Sequence, residues 1–169
     1  MCLEEDIKVV KIGAEKEGIL KNLVSLYLHD LSEFSDDLKV NQEGKFEYEG
    51  LNYYFTEKEL NPFLIYCNDE ISGFVLLNSG KYVPGDAQYS IHEIFILKSF
   101  RRKGVAASAI KKIFEIYKGK YKVEQLQDNK LAINFWRGFY KKENIIYKEE
   151  TEVIDGFNVY TQFFNIKNL

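Results

Sequence analysis

A chain of 169 residues is the size of one ordinary domain, since a single hydrophobic core serves roughly 100 to 200 residues. With 46% hydrophobic and 15% aromatic residues it has enough apolar surface to offset the entropy of ordering, which excludes a disordered or low-complexity protein. The balance of 23 Lys and Arg against 26 Asp and Glu gives a net charge of −3, which excludes a general cationic surface for nucleic acid or anionic lipid, so any anion site must be local.

The opening residues Met1 to Asp6 are acidic where an export signal has a basic segment and an apolar run, and no stretch reaches the ~18 apolar residues that span a bilayer. A cytoplasmic chain without membrane contact is therefore expected. Cys2 and Cys67 are too few and too far apart in sequence to read as a disulfide framework, and Cys67, inside an apolar run, reads as an inert buried residue. His29 and His92 have no second histidine at helical or hairpin spacing, so no metal is expected.

Ile7 to Ile12 alternates with period two and stops at Gly13, which predicts a first strand. Leu20, Leu23, Val24, Tyr27, Leu31 and Phe34 then recur at three and four, which predicts a helix breaking near Ser35-Asp36. Asp36 to Pro62 is polar with interspersed aromatics and reads as a short helix and an irregular segment. Phe63 to Cys67 and Ile71 to Leu77 flank Asn68-Asp69-Glu70 as an antiparallel hairpin. Ile91 to Leu97 is a central strand by its β-branched and aromatic density, and Val105 to Tyr117 is a helix starting at Gly104. A strand from Tyr121 to Leu126, a helix from Asn129 to Tyr140 and a hairpin around Asp155-Gly156 complete the chain. The order is that of an α/β or α+β domain with a mixed sheet.

The segment Ile94-Phe95-Ile96-Leu97-Lys98-Ser99-Phe100-Arg101-Arg102-Lys103-Gly104-Val105-Ala106-Ala107 runs from a strand through a basic loop into a helix. The first N–H groups of a helix have no internal partner, and with the helix dipole they attract phosphate. Gly104 and the small Ala106 and Ala107 admit a bulky diphosphate. Each hydrogen bond to an ionised phosphate is worth about 1.5 to 3 kcal/mol, so a handful suffices for micromolar binding. Neither G-x-x-x-x-G-K-[ST] nor G-x-G-x-x-G occurs.

What occurs is R-x-x-G-x-A, as Arg101, Gly104 and Ala106. This resembles the pyrophosphate motif Q/R-x-x-G-x-G/A of the GNAT superfamily of acetyl-CoA-dependent N-acetyltransferases. Asn129-x-x-Ala132-x-x-Phe135-Trp136 resembles the family helix that lies along pantetheine, and Leu26 to Phe34 is similar to the first helix of a branch of predicted acetyltransferases. The resemblance implies one GNAT-like domain over 1–169. Its sheet would be mixed and mostly antiparallel, of about seven strands, with helices on both faces and a splay between strands 4 and 5. It implies acetyl-CoA as cosubstrate, held by Ile94, Phe95, Ile96, Arg101, Arg102, Lys103, Gly104, Val105, Ala106, Ala107, Asn129 and Trp136. A backbone N–H would serve as oxyanion hole, and the acetyl group would pass directly to a primary amine.

Glu93 is the first candidate for the base that deprotonates that amine, against the alternative of an ordinary ion-paired strand residue. His92 is a rival whose side chain lies on the opposite face unless a β-bulge intervenes. The family tyrosine that protonates the leaving thiolate is replaced by Trp136, whose indole cannot surrender a proton; with a thiol pKa of about 8.5 the thiolate can leave unaided. Tyr140 reads as packing. Asn129 either caps its helix or contacts pantetheine, and both can hold at once. Asp30, Glu33, Asp36 and Asp37 gather near the end of the first helix, either as a solvated helix end or as an attractor for a small cationic acceptor. A noncatalytic acyl-CoA sensor and a cofactor-free interaction domain are the rival classes, and the C-terminal hairpin offers strands for a homodimer.

Overall fold

The alternating and helical patterns become regular elements in a computed structural model that describes residues 3–167. In chain order these are β1 (Ile7–Lys11), α1 (Glu17–Leu31), β2 (Leu60–Cys67), β3 (Glu70–Ser79), β4 (Tyr89–Ile96), α2 (Val105–Ile116), β5 (Gly119–Leu126), α3 (Lys130–Lys142), β6 (Tyr147–Ile154) and β7 (Phe157–Ile166). The strands make one seven-stranded sheet in the order β1-β2-β3-β4-β5-β7-β6. All neighbours are antiparallel except β4 and β5, which run parallel.

The two faces are covered by different helices, which is why β2 and β3 read as nearly unbroken apolar runs. On one face Phe63, Val75, Ile91, Tyr121 and Phe164 pack with Ile110, Ile113 and Phe114 of α2 and Phe139 of α3. On the other, Leu64, Phe74, Leu76 and Phe95 meet Leu20, Val24 and Leu28 of α1. Each such side chain contributes about 1.5 to 3 kcal/mol on burial. Both hairpin turns place two residues at positive φ, Asn68 (51°) with Asp69 (63°) and Asp155 (50°) with Gly156 (84°), as tight two-residue connections demand.

Three expectations are corrected. The first helix ends at Leu31, not Phe34; the segment after it is irregular with one short 3₁₀ helix at Leu51–Phe55, as its composition suggests. Strand β2 begins at Leu60, ahead of Pro62. That proline is tolerated because it lies just past the end of β1, where the ladder stops: its carbonyl still accepts from Ile12 N–H, and only the return bond of that last pair is lost. Cys67 is buried as expected but is disulfide-bonded, not a free thiol. Cys2 lies outside the described residues.

Gly73 fixes how closely β3 and β4 approach. A Cβ there would stand 2.0 Å from the Phe95 carbonyl oxygen, a backbone atom that cannot swing aside. Gly73→Ala is therefore expected to lower stability by about 1 to 3 kcal/mol, read as a lower denaturation midpoint at constant m.

Candidate active site

The β4–β5 seam is closed only at its start, by Tyr89↔Tyr121 and Ser90↔Lys122. Beyond these rungs β4 runs on to Ile96 and β5 to Leu126 without pairing to each other. Leu97 N–H donates to Ser72 on the β3 side. By the alternation of a strand's backbone, the N–H and C=O groups of Ile94 and Ile96 then project into the open seam, while those of Phe95 face β3. Arg101 Nε donates to the Ile96 carbonyl at 2.7 Å, so the acceptor at the far end of this edge is already occupied.

The loop that follows β4 turns through Arg102 at φ 62° and Gly104 at φ 79°. The first bond of α2 runs from Ser108 N–H to the Gly104 carbonyl at 3.0 Å, so the amides of Val105, Ala106 and Ala107 precede the ladder. Nothing lies within 4 Å of a Cβ built on Gly104, which leaves open space at the helix mouth. The loop cations divide into two pairs. Lys98 and Arg101 turn onto Asp30, whereas Arg102 is exposed and Lys103 Nζ lies 5.9 Å from the Phe100 ring centroid. Burial pushes the Asp30 carboxyl up, but the hydrogen bonds and charges of Arg101 and Lys98 outweigh this and hold it below the usual range.

Glu93 is placed by a β-bulge. Glu93 pairs with Leu76 and Ile91 with Leu77, so His92 is the extra residue and Glu93 faces α1. There Tyr27 of α1 donates to Oε2, and Tyr48 of the irregular segment donates to Oε1 at 3.1 Å. His92 Nε2 is 3.9 Å from Oε1, with a side chain 42% exposed against 17% for Glu93. Burial pushes the Glu93 carboxyl above its ordinary value; His92 and the two phenols pull it back without reversing the shift, and Glu124 on β5 adds to the rise. Burial beside this carboxylate also raises both tyrosines, keeping them protonated donors. A buried carboxylate held in this way can receive a proton from a neighbouring nucleophile.

Two further elements close the region. Asn129 caps α3 by accepting from Ala132 N–H at 3.1 Å. Trp136 is 2% exposed, in the aromatic core beside Phe135, Phe139 and Tyr140. The Tyr140 hydroxyl is buried with no hydrogen-bond partner among the described residues. Tyr140→Phe is accordingly expected to leave stability unchanged or raise it by about 1 kcal/mol in thermal unfolding, since it removes a desolvated hydroxyl.

With this geometry in place, the model of the acetyltransferase (GNAT) family matches residues 23–139. The chain belongs to the acetyltransferase (GNAT) family. Solved structures agree on the fold of this GNAT chain. An acetyltransferase of the family from Streptococcus agalactiae superposes with a TM-score of 0.70 at 13% identity, covering 100% of both chains. The Salmonella typhimurium acetyl transferase that modifies the N-terminal serine of ribosomal protein L7/L12 gives 0.67 at 14% identity, over 96% of each chain. A third structure, an acetyltransferase from Salmonella typhimurium with its cofactor acetyl-CoA, gives 0.64 at 9% identity over 97% of this chain and 96% of that one. No curated protein matches. The mixed sheet open between β4 and β5, with helices on both faces, is the expected GNAT architecture, and the family makes the chain an acyltransferase.

The structure brings the seam edge, the basic loop and Glu93 of this GNAT domain onto one strand and its exit. It also adds residues that sequence reading missed. In the sequence Tyr27 is part of an apolar helix face and Tyr48 one aromatic of a polar segment. No spacing links them to Glu93, because they lie 66 and 45 residues away. A cleft of about 450 Å³ lies between the end of α1 and the β5–α3 and β6–β7 turns, lined by Phe34, Asp36, Asp37, Asp128 and Phe157. Among the described residues no helix is long and apolar enough to cross a membrane, and no group of His, Cys, Asp and Glu is set to hold a metal ion.

Proposed function

We propose that the chain acts as one acetyltransferase domain that moves the acetyl group of acetyl-CoA to the primary amine of a small, cationic acceptor. The observation that carries this reading is the open β4–β5 seam ending in the loop at Gly104. The groups present suit acetyl-CoA. The free amides at the start of α2, with Arg102 and Lys103, match a diphosphate; the outward C=O of Ile94 and N–H of Ile96 match the amides of pantetheine; Asn129 stands at the head of α3, and Trp136, buried, packs that helix on the α2 side of the sheet. Acetyl-CoA supplies an activated thioester.

The chain's own groups do the rest. A neutral amine attacks the thioester carbonyl carbon, its lone pair forming the C–N bond while the carbonyl oxygen takes up negative charge. A backbone N–H of the β4 edge, Ile94 by its direction, stabilises that oxygen, a kind of donor whose loss costs about 10² to 10³ in rate. Glu93 first takes the ammonium proton that makes the amine neutral; after attack the C–S bond breaks and the leaving thiolate takes the proton the nitrogen still has to lose, giving the amide and free thiol. An amine has a pKa of about 10, so Glu93 is needed as proton acceptor near neutral pH. Asp36, Asp37 and Asp128 around the cleft favour a cationic acceptor.

Calorimetry with acetyl-CoA, followed by thiol release over a panel of polyamines, amino acids, aminoglycosides and peptide N-termini, tests the proposal. Binding with turnover of a cationic small amine is the expected result. Binding without turnover of any amine would point to an acyl-CoA sensor, and turnover of peptides alone to a protein acceptor.

A further inference from the structure

The basic residues ahead of α2 do different things. Arg101 Nη2 donates to Asp30 Oδ2, and Lys98 Nζ lies 3.4 Å from Asp30 Oδ1. Arg101 also donates Nε to the Ile96 carbonyl at 2.7 Å and lays its guanidinium 5.5 Å from the Phe95 ring centroid. One planar group thus ties α1, the edge of β4 and the loop together, a use that needs the fixed fork of arginine. Asp30 sits in the last turn of α1, where the helix dipole repels a carboxylate. Cations from another segment are what make that position favourable. The pair is partly sheltered, with side chains 25% and 34% exposed.

We propose that Asp30 and Arg101 form a brace that fixes the loop, and so the peptide N–H groups opening α2, in the arrangement that receives the diphosphate of acetyl-CoA. Arg101 is then a positioning residue, and Arg102 with Lys103 supply the charge that meets the anion. The inference rests on the acetyl-CoA reading above. Its signature is one of sign: by charge alone, removing a carboxylate beside an anion site tightens anion binding. If the carboxylate holds the loop, removing it weakens binding.

The experiment is calorimetric titration of CoA into the full chain and into Asp30→Asn, Arg101→Gln, the double variant, Asp30→Glu and Arg101→Lys. Each of the first two is expected to weaken CoA binding about tenfold, a typical coupling between linked groups. The double variant is expected to be no worse than the weaker single one, because both break the same contact. Asp30→Glu should recover most of the affinity. Arg101→Lys keeps the charge but cannot grip Asp30 and Ile96 together, so it too should lose about tenfold, which keeps the test sharp should Asp30→Asn fail to fold. CoA binding by Asp30→Asn or Arg101→Lys as tight as in the unaltered chain, or tighter, overturns the brace, as does a double variant whose loss is the product of the two. An unaltered chain that binds no CoA overturns the acetyl-CoA reading and the brace with it.

Discussion

Gly104→Asp is expected to weaken acetyl-CoA binding by at least about a hundredfold in calorimetry. Gly104 holds φ at 79°, a left-handed conformation that costs other residues about 1 to 2 kcal/mol, and the space above its Cα is open. An aspartate there would strain the turn and set a carboxylate at the helix mouth, where free amides and the dipole otherwise attract an anion. Gly104→Ala separates the two effects, for it adds the strain without the charge and should lose about tenfold or less. If the aspartate variant bound acetyl-CoA as the unaltered chain does, the anion site would have to lie elsewhere.

Glu93→Gln is expected to lower kcat/KM by about 10² to 10⁴, the usual worth of a positioned proton acceptor. The pH profile gives a finer test. Glu93 must be ionised to take a proton, and burial sets its carboxyl above the usual range, so activity should fall as pH drops through that raised value. Tyr48 donates to Glu93 and pulls the carboxyl down. Removing that donor in Tyr48→Phe should therefore move the acid limb to higher pH, with little change on the plateau above it. Stability should move the other way. A carboxyl whose folded pKa exceeds its unfolded one keeps a proton that the unfolded chain releases, so stability declines as pH rises from the unfolded to the folded value. Glutamine carries no charge at any pH, so Glu93→Gln is expected to melt higher than the unaltered chain at neutral pH while working far more slowly. A Gln variant with full activity, or an acid limb unmoved by Tyr48→Phe, would remove Glu93 from the role.

Much of this architecture was legible because local rules and the sheet agreed. The Asp155-Gly156 turn, the apolar spacing of α2 and the run Phe74-Val75-Leu76-Leu77 each point to one structure. The anion loop was legible too, since a strand, a basic turn, Gly104 and small residues follow one another without interruption. The Glu93 surroundings were not. Whether Glu93 or His92 faces α1 depends on a bulge, and a bulge adds one residue without any mark in the residue types around it. Tyr27, Tyr48 and Asp30 belong to other elements, and only the packing of α1 on the sheet brings them to β4 and its loop. Arg101 shows the same limit from the other side: charge and position both suggested a phosphate contact, and only the folded chain reveals a carboxylate, a carbonyl and a ring already engaged with it.

The two rungs that join β4 to β5 bear on how long the folded protein survives. Strands β1 to β4 form one set of long antiparallel ladders and β5, β7 and β6 another; in each set one pair, β2–β3 or β6–β7, closes through a tight turn, whereas the join between the sets must wait for the α2 crossover. That join has the fewest backbone rungs in the sheet. A molecule lying along it and touching both sets acts as a removable stitch, raising the melting temperature with its concentration by mass action. In this way the supply of acyl donor would govern the persistence of the enzyme that consumes it.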